Sequence, residues 1–388
     1  MIDTAFSRQD KLGFYQIGNF KTYSRFEAIE KSVQSGHIPH WNFNDEIYGC
    51  LDWTQEPKQS LGELYRQRAQ QLRDKYDYLV LWFSGGADST NILNSFVDND
   101  IKLDEVASYV NYEATKDSYS WLNAEIYYVA APVVDKAKLK QPGLQHTVVD
   151  ISQSTLDYFL NRSAKFDWIY HVNTHMSPNA CSRTDAKYTV THWRKLFDSG
   201  KKVGFVYGFD KPALYGINGK YYFEFSDLVD GCVSAECQMS NRSWEFNELF
   251  YHTPDMPTIP IKQSHIIKNY LKLNSDPLSF CGMEFNQYGS PIRLTTNGKA
   301  KRLKSSVLHT LIYPGWIPVL YQRKATSLTF TPRDTWFFNL PDSDPAKYTW
   351  HAGLKHRWKL SKDFNEQNPN HVSRDLRFYP SRPYYLGE

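Results

Sequence analysis

Cysteine is scarce and scattered in this chain, and that narrows its chemistry first. The five cysteines stand at 50, 181, 232, 237 and 281. An odd count with irregular spacing argues against a disulfide framework. Cys232 and Cys237 do not form a CxxC pair, and no further soft ligands cluster near them, so a structural zinc site is not expected. Long apolar runs are missing too. No stretch of about 18 apolar residues occurs, so neither a transmembrane helix nor a membrane partner is expected. The opening Met1-Ile2-Asp3-Thr4 carries no basic-then-apolar leader, which makes the cytoplasm the expected location. Charge of one sign is also lacking. Lys and Arg total 45 against 42 Asp and Glu, and a net charge of +3 is too small to call for a nucleic-acid partner by its field alone.

What is present is the composition of a folded protein, 41% hydrophobic and 22% charged over 388 residues, enough for one large domain with additions or for two. Aromatics are plentiful, with 27 Tyr, 23 Phe and 11 Trp. Many must line surfaces or pockets, because Tyr and Trp carry polar tips that need partners.

The most informative stretch is Phe83-Ser84-Gly85-Gly86-Ala87-Asp88-Ser89-Thr90. It follows the apolar run Tyr78 to Trp82, which reads as a buried strand, and precedes Asn91 to Val97, which reads as the first turns of a helix. A strand, a Gly-Gly turn and a helix N-terminus make an anion cradle, since unpaired N–H groups and the helix dipole both point at its mouth. Gly85 and Gly86 let a ligand approach the backbone closely. Ser84, Ser89 and Thr90 add hydroxyl donors. Asp88 would repel a phosphate unless Mg²⁺ lies between them. A second element, Val206-Tyr207-Gly208-Phe209-Asp210-Lys211-Pro212, follows another apolar strand at 203–207. Two parallel strands ending in glycine-bearing loops can face one nucleotide from two sides. Gly208 would allow close approach, Asp210 would hold Mg²⁺ and Lys211 would offset charge on departing pyrophosphate. The alternative is a surface turn ahead of Pro212.

Ser84-Gly85-Gly86-Ala87-Asp88-Ser89 resembles the SGGxDS signature of the PP-loop ATP pyrophosphatase superfamily, the adenine nucleotide alpha-hydrolase-like proteins. It is distinct from the GxxxxGK[ST] phosphate loop. The resemblance covers residues 76–215 and is nearest to the synthetase domain of asparagine synthetase. It implies ATP and Mg²⁺ as cofactors, and a C–N ligase that splits ATP to AMP and pyrophosphate while activating a carboxylate or carbonyl oxygen. It also implies that backbone groups at Val110 and Asn111 hold adenine. Asparagine synthetase has an N-terminal glutaminase domain with a cysteine nucleophile. Residue 2 here is Ile, and the roughly 60 residues before the synthetase region are too few for that domain. The nitrogen is therefore expected from free ammonia, a separate ammonia donor or another nucleophile. Two alternatives remain open: a nucleic-acid base modifier similar to tRNA lysidine synthetase, and a non-catalytic nucleotide-binding module.

The expected fold is α/β, a doubly wound parallel sheet, because strands near 78–83, 106–112, 147–151 and 203–207 alternate with helices. Three regions are expected: an N-terminal extension over 1–60, the nucleotide domain over 61–240, and a mostly helical and irregular acceptor-side region over 241–388. The extension should hold a hairpin around Gly18-Asn19 and a helix capped by Ser24. Ser60 with Glu63 should form a capping box for a helix over 61–75. His171 and His175, four apart, lack an evident third ligand and suggest a polar pocket wall more than a metal pair. The aromatic tail after Ser381 either docks on the body or frays.

Overall fold

The computed structural model describes residues 10–116, 121–161, 166–172, 175–208, 212–217, 219–227, 245–274, 280–282, 292–296, 299–303, 305–316, 329–368 and 379–388. Strands β1 (Phe14–Ile17), β2 (Phe20–Thr22) and β3 (His40–Asn42) form a small antiparallel sheet in the order β2-β1-β3. The β1–β2 turn falls at Gly18-Asn19 as expected, with Gly18 at φ +56°. Helix α1 (Arg25–Ser35) is capped by Ser24, whose side chain accepts from Glu27 N. Helix α2 (Leu61–Lys75) has the expected capping box: Ser60 N donates to Glu63 Oε2 at 2.7 Å and Glu63 N donates to Ser60 Oγ at 3.3 Å. Its buried face is Leu61, Leu64, Tyr65, Arg68, Ala69 and Leu72, one side of a helix.

The chain then builds the central sheet. Strand β4 (Tyr78–Trp82) leads into α3 (Ala87–Val97), β5 (Glu105–Val110), α4 (Ala131–Lys140), β6 (Gln145–Asp150) and α5 (Ser152–Leu160). Helix α6 (Thr191–Asp198) and β7 (Val203–Tyr207) follow. Two segments depart from simple helices, each for a local reason. Before α4 the chain makes a π turn over Glu125–Ala130, and Pro132, which has no N–H to donate, sits in the first turn of α4. Before α6 the β-branched run Thr189-Val190-Thr191 interrupts the helical stretch that begins at Arg183, and Val190 takes ψ 88°.

Past the expected boundary at 240, strand β10 (Glu245–Leu249) pairs parallel with β7 in the register Glu245↔Val203 to Leu249↔Tyr207. It completes a five-stranded, all-parallel sheet in the order β10-β7-β4-β5-β6. From β4, strands β5 and β6 step outward on one side, and β7 and β10 on the other. The order therefore reverses between β4 and β7.

The C-terminal region, expected to be mostly helical and irregular, also contributes strands to a second sheet. Strands β8 (Ala213–Ile217) and β9 (Lys220–Glu224) form a hairpin inside the range expected for the nucleotide domain. They join β11 (Phe280–Gly282), β12 (Ile292–Thr296), β13 (Lys299–Leu303) and β14 (Tyr384–Gly387) in a six-stranded sheet, order β11-β13-β12-β8-β9-β14. Lys299, Lys301 and Arg302 lie in the paired strand β13. The aromatic tail docks: β14 pairs antiparallel with β9, and Tyr384 is 4% exposed. Helix α7 (Thr258–Leu273) and helix α8 (Ser305–Ile312) complete this side, and α9 (Pro345–Gln367) packs on α1 and α5. No helix among the described residues is long and apolar enough to cross a membrane.

A buried ion cluster ties β10 to α2. Arg68 Nη2 donates to Glu248 Oε2 at 2.9 Å and to Leu249 O at 2.8 Å, and Lys75 and Tyr76 reach Glu248 Oε1. Burial pushes the Glu248 carboxyl up, but the charges of Arg68 and Lys75 and the hydrogen bonds from Lys75 and Tyr76 outweigh it and hold the group at about 2. An unfolded glutamate titrates near 4.5, so the cluster contributes its full stability above that pH and loses it as pH falls toward about 2. The difference is worth roughly 3 kcal/mol at neutral pH. Denaturant unfolding should show stability falling between about pH 5 and pH 2.5. Glu248→Gln should start lower at pH 7 and fall less steeply; an identical slope in both proteins would remove Glu248 from the account.

Candidate functional site

Beyond Tyr78, β4 is buried along its length, a continuous apolar run suited to the centre of a two-faced sheet. The chain leaves it through Phe83 and turns at Ser84 and Gly85. Gly85 has φ +74°, a left-handed value that favours glycine. A Cβ there would stand 2.9 Å from Ala130 N and 3.0 Å from Ala130 Cα, so the glycine also lets the π turn pack over the loop. Gly86 takes the N-cap of α3 and makes no side-chain cap hydrogen bond. No capping side chain therefore covers the first-turn amides of α3.

The loop's own hydroxyls hold it loosely. Ser89 Oγ accepts from Ser84 N at 3.4 Å and donates to Gly86 O at 3.3 Å, while Ser84 Oγ accepts from Gly86 N at 3.3 Å. These lengths lie at the weak end for such bonds. Thr90 Oγ1 is buried and has no hydrogen-bond partner. An uncapped helix start, three hydroxyls on long or absent bonds and a left-handed glycine together form a donor surface that an anion can satisfy. Asp88 is the second residue of α3 and is partly exposed. The Tyr313 hydroxyl donates to its Oδ1. The donors at hand, carboxylate and hydroxyl, are hard oxygens of the kind Mg²⁺ takes alongside phosphate, so these residues fit that cation.

Strand β7 brings Gly208 to the same corner. A Cβ on Gly208 would stand 2.7 Å from Ile92 Cδ1 and 3.4 Å from Asp88 C and Ser89 N. A Cβ would have to push aside the end of the Ile92 side chain and would otherwise make ordinary contact, so glycine eases the close approach of β7 to the first turn of α3. Asp210 and Lys211 lie outside the described residues.

Val110 and Asn111 differ from expectation. Val110 O accepts from Ile151 N at 3.0 Å. Asn111 N donates to Asn123 Oδ1 at 3.2 Å, and Asn111 O accepts from Asn123 Nδ2 at 3.0 Å. Asn111 Oδ1 accepts from Ala114 N at 2.9 Å and from Ser152 Oγ at 3.1 Å. The residue is fully buried. Asn111 is a local clamp for the turn after β5, and Val110 O and the Asn111 backbone N–H and carbonyl are engaged within the protein.

Around the corner stands an aromatic wall. The rings of Trp82 and Tyr109 stack at 4.4 Å with a 14° interplanar angle, and the Arg183 guanidinium lies 5.8 Å from the Tyr109 ring. Ser182 Oγ accepts from Thr155 Oγ1 at 2.9 Å and donates to Asn179 O at 3.3 Å. His175 is exposed, and desolvation with the nearby charges of Arg183 and Arg25 draws its imidazole below the usual range. Among the described residues, no group of three His, Cys, Asp or Glu could hold a metal. Lys262 and His265 serve packing, pairing with Glu56 and with Trp53 O.

Sequence reading missed Asn91, Tyr251 and Tyr313. Tyr251 Oη donates to Asp88 O at 2.7 Å and accepts from Asn91 Nδ2 at 3.0 Å. Asn91 was open to detection: it lies three residues after Asp88, on the same helix face. Tyr251 and Tyr313 carry no local signal beyond being tyrosines.

No family model matches the chain, and no curated protein matches it.

Proposed function

We propose that the chain binds ATP with a divalent cation at the carboxyl edge of the parallel sheet and splits it between the α and β phosphates. AMP passes to an acceptor oxygen, and a nitrogen nucleophile then displaces it. The observation that carries this reading is the position of the Ser84–Thr90 loop. It lies where the strand order reverses, between β4 and β7, with an uncapped helix start behind it. Ligands of open α/β sheets bind outside the carboxyl ends of strands at such a reversal.

In this mechanism the amides of the loop and of the first α3 turn grip the terminal phosphates, with Ser84, Ser89 and Thr90 donating from their hydroxyls. Asp88 holds its carboxylate beside them. When bound, Mg²⁺ supplies charge neutralisation to the leaving pyrophosphate. Asp210 would hold the cation and Lys211 would offset charge on the departing pyrophosphate, as their place after β7 in the sequence suggests. The α-phosphorus then faces the acceptor, and catalysis consists mainly of positioning and charge stabilisation.

One observation favours a nucleobase as the acceptor. Tyr112, Tyr127 and Tyr128 are 45%, 44% and 80% exposed at the carboxyl end of β5 and on the adjoining π turn. Exposed rings beside a nucleotide corner suit a stacked base. ATP–pyrophosphate exchange, run with amino acids, small carboxylic acids and nucleic acids as acceptors, tests the proposal. Exchange that needs one acceptor class identifies it. ATP binding without exchange or pyrophosphate release under any condition would leave a nucleotide-binding module.

A further inference from the structure

Three tyrosines from distant parts of the chain converge beneath the first turn of α3. Tyr313 follows the last turn of α8, is 1% exposed and donates its hydroxyl to Asp88 Oδ1. Tyr251 follows β10 and holds the carbonyl of the same residue at 2.7 Å. The two rings lie 5.5 Å apart. Tyr65, on α2, stands edge-on to Tyr251 at 5.5 Å. Its hydroxyl donates to Ile312 O at 2.7 Å and accepts from Gln263 Nε2 at 2.8 Å, which fixes the end of α8 from which Tyr313 projects.

The two hydroxyls on Asp88 do different work. Tyr251 braces the main chain, whereas Tyr313 alone of the pair touches the carboxylate. A buried phenol donating to a carboxylate fixes the carboxylate's rotamer, and the fixed end of α8 fixes the phenol.

We propose that Tyr313 is a positioning residue for Asp88, turning its carboxylate to receive the divalent cation of a metal–ATP complex. This rests on the reading of the Ser84 loop as a nucleotide site and names a residue that neither the motif nor its neighbours contain. It also means that the segment after α8, remote in sequence from the loop, completes the nucleotide corner. Hydrogen bonds that orient metal-ligating carboxylates are typically worth about 10- to 100-fold in metal affinity.

Tyr313→Phe removes one oxygen and keeps the ring in place. Asp88 is partly exposed, so water can replace the lost donor and the variant keeps its fold. Calorimetry would measure Mn²⁺ binding at saturating ATP, and ATP binding in chelator, for the wild-type protein, Tyr313→Phe, Asp88→Ala and the double variant. The Mn²⁺ dissociation constant should rise about tenfold or more in Tyr313→Phe, with metal-free ATP affinity unchanged within about twofold. Tyr313→Phe should add nothing in the Asp88→Ala background, because it acts through that carboxylate. Wild-type Mn²⁺ affinity in Tyr313→Phe, or an equal loss with and without the Asp88 carboxylate, would overturn the proposal alone. A wild-type protein that binds no ATP, with or without Mn²⁺, would overturn the nucleotide reading and this proposal with it.

Discussion

Under the proposed function, Asp88→Ala should lower metal-dependent pyrophosphate release from ATP by at least about 100-fold and leave the protein folded. That size is typical for deleting one preorganised charge-stabilising group at a reacting centre. Asp88 supplies the carboxylate at the Ser84–Thr90 corner, while the hydroxyls of Ser84, Ser89 and Thr90 are neutral donors and cannot replace its charge. The fold should tolerate the change. The residue is partly exposed and sits in the first turn of α3, where an acidic side chain contributes about 0.3–1 kcal/mol through the helix dipole, and losing the acceptor of the buried Tyr313 hydroxyl costs about 1–3 kcal/mol more. A coupled assay for pyrophosphate across a Mg²⁺ titration, with unfolding measured on the same samples, gives both numbers. Release within threefold of wild type at every Mg²⁺ concentration would take Asp88 out of the mechanism.

Asp227→Ala should have the largest effect on stability, a loss of about 3–5 kcal/mol. Asp227 and Arg25 are both fully buried and form an ion pair through Arg25 Nη2, with Arg25 Nε at 3.1 Å. Tyr15 Oη donates to the same carboxylate at 2.6 Å and Tyr379 N at 2.9 Å. Burial pushes the Asp227 carboxyl up, and Arg25, Tyr15 and Tyr379 pull it back down. Four parts of the chain meet on this one group: β1, α1, the segment after β9 and the approach to β14. Removing it strands a buried guanidinium, and that uncompensated charge is the main cost. Replacing Arg25 and Asp227 together by apolar residues of similar volume should cost less than Asp227→Ala alone. Denaturant unfolding of the three proteins decides it; a loss below about 1 kcal/mol for Asp227→Ala would mean that the cluster contributes little.

The strand, turn and helix start at Ser84 were legible because their signals are local. An apolar strand, two glycines and an uncapped helix start occupy about 20 consecutive residues, and the alternation of strands and helices around them follows from sequence periodicity. The capping box at Ser60 and the Gly18-Asn19 turn were readable for the same reason. Elements whose stability comes from far away were not. Strand β10 contains Glu245, Asn247 and Glu248, so it does not look like a core strand; Glu248 is buried only because Arg68, 180 residues earlier, meets it there. Tyr313 reaches Asp88 across 225 residues. The hairpin of β8 and β9 had a local signal that went unread: Asn218-Gly219 between two strand-like runs is a strong short-range hairpin cue, and Gly219 takes φ +79°. The end of β5 looked open because a strand terminus in sequence cannot show that Asn123 will close it.

The central claim is that the Ser84 turn clasps the terminal phosphates of ATP. A crystal structure with Mg²⁺ and a non-hydrolysable ATP analogue tests it most directly. The account expects the β and γ phosphates against the first-turn amides of α3 and the Ser84, Ser89 and Thr90 hydroxyls, with the cation between phosphate and Asp88. Nucleotide bound elsewhere on the sheet, or a Ser84–Thr90 loop unchanged and empty at saturating analogue, would contradict it.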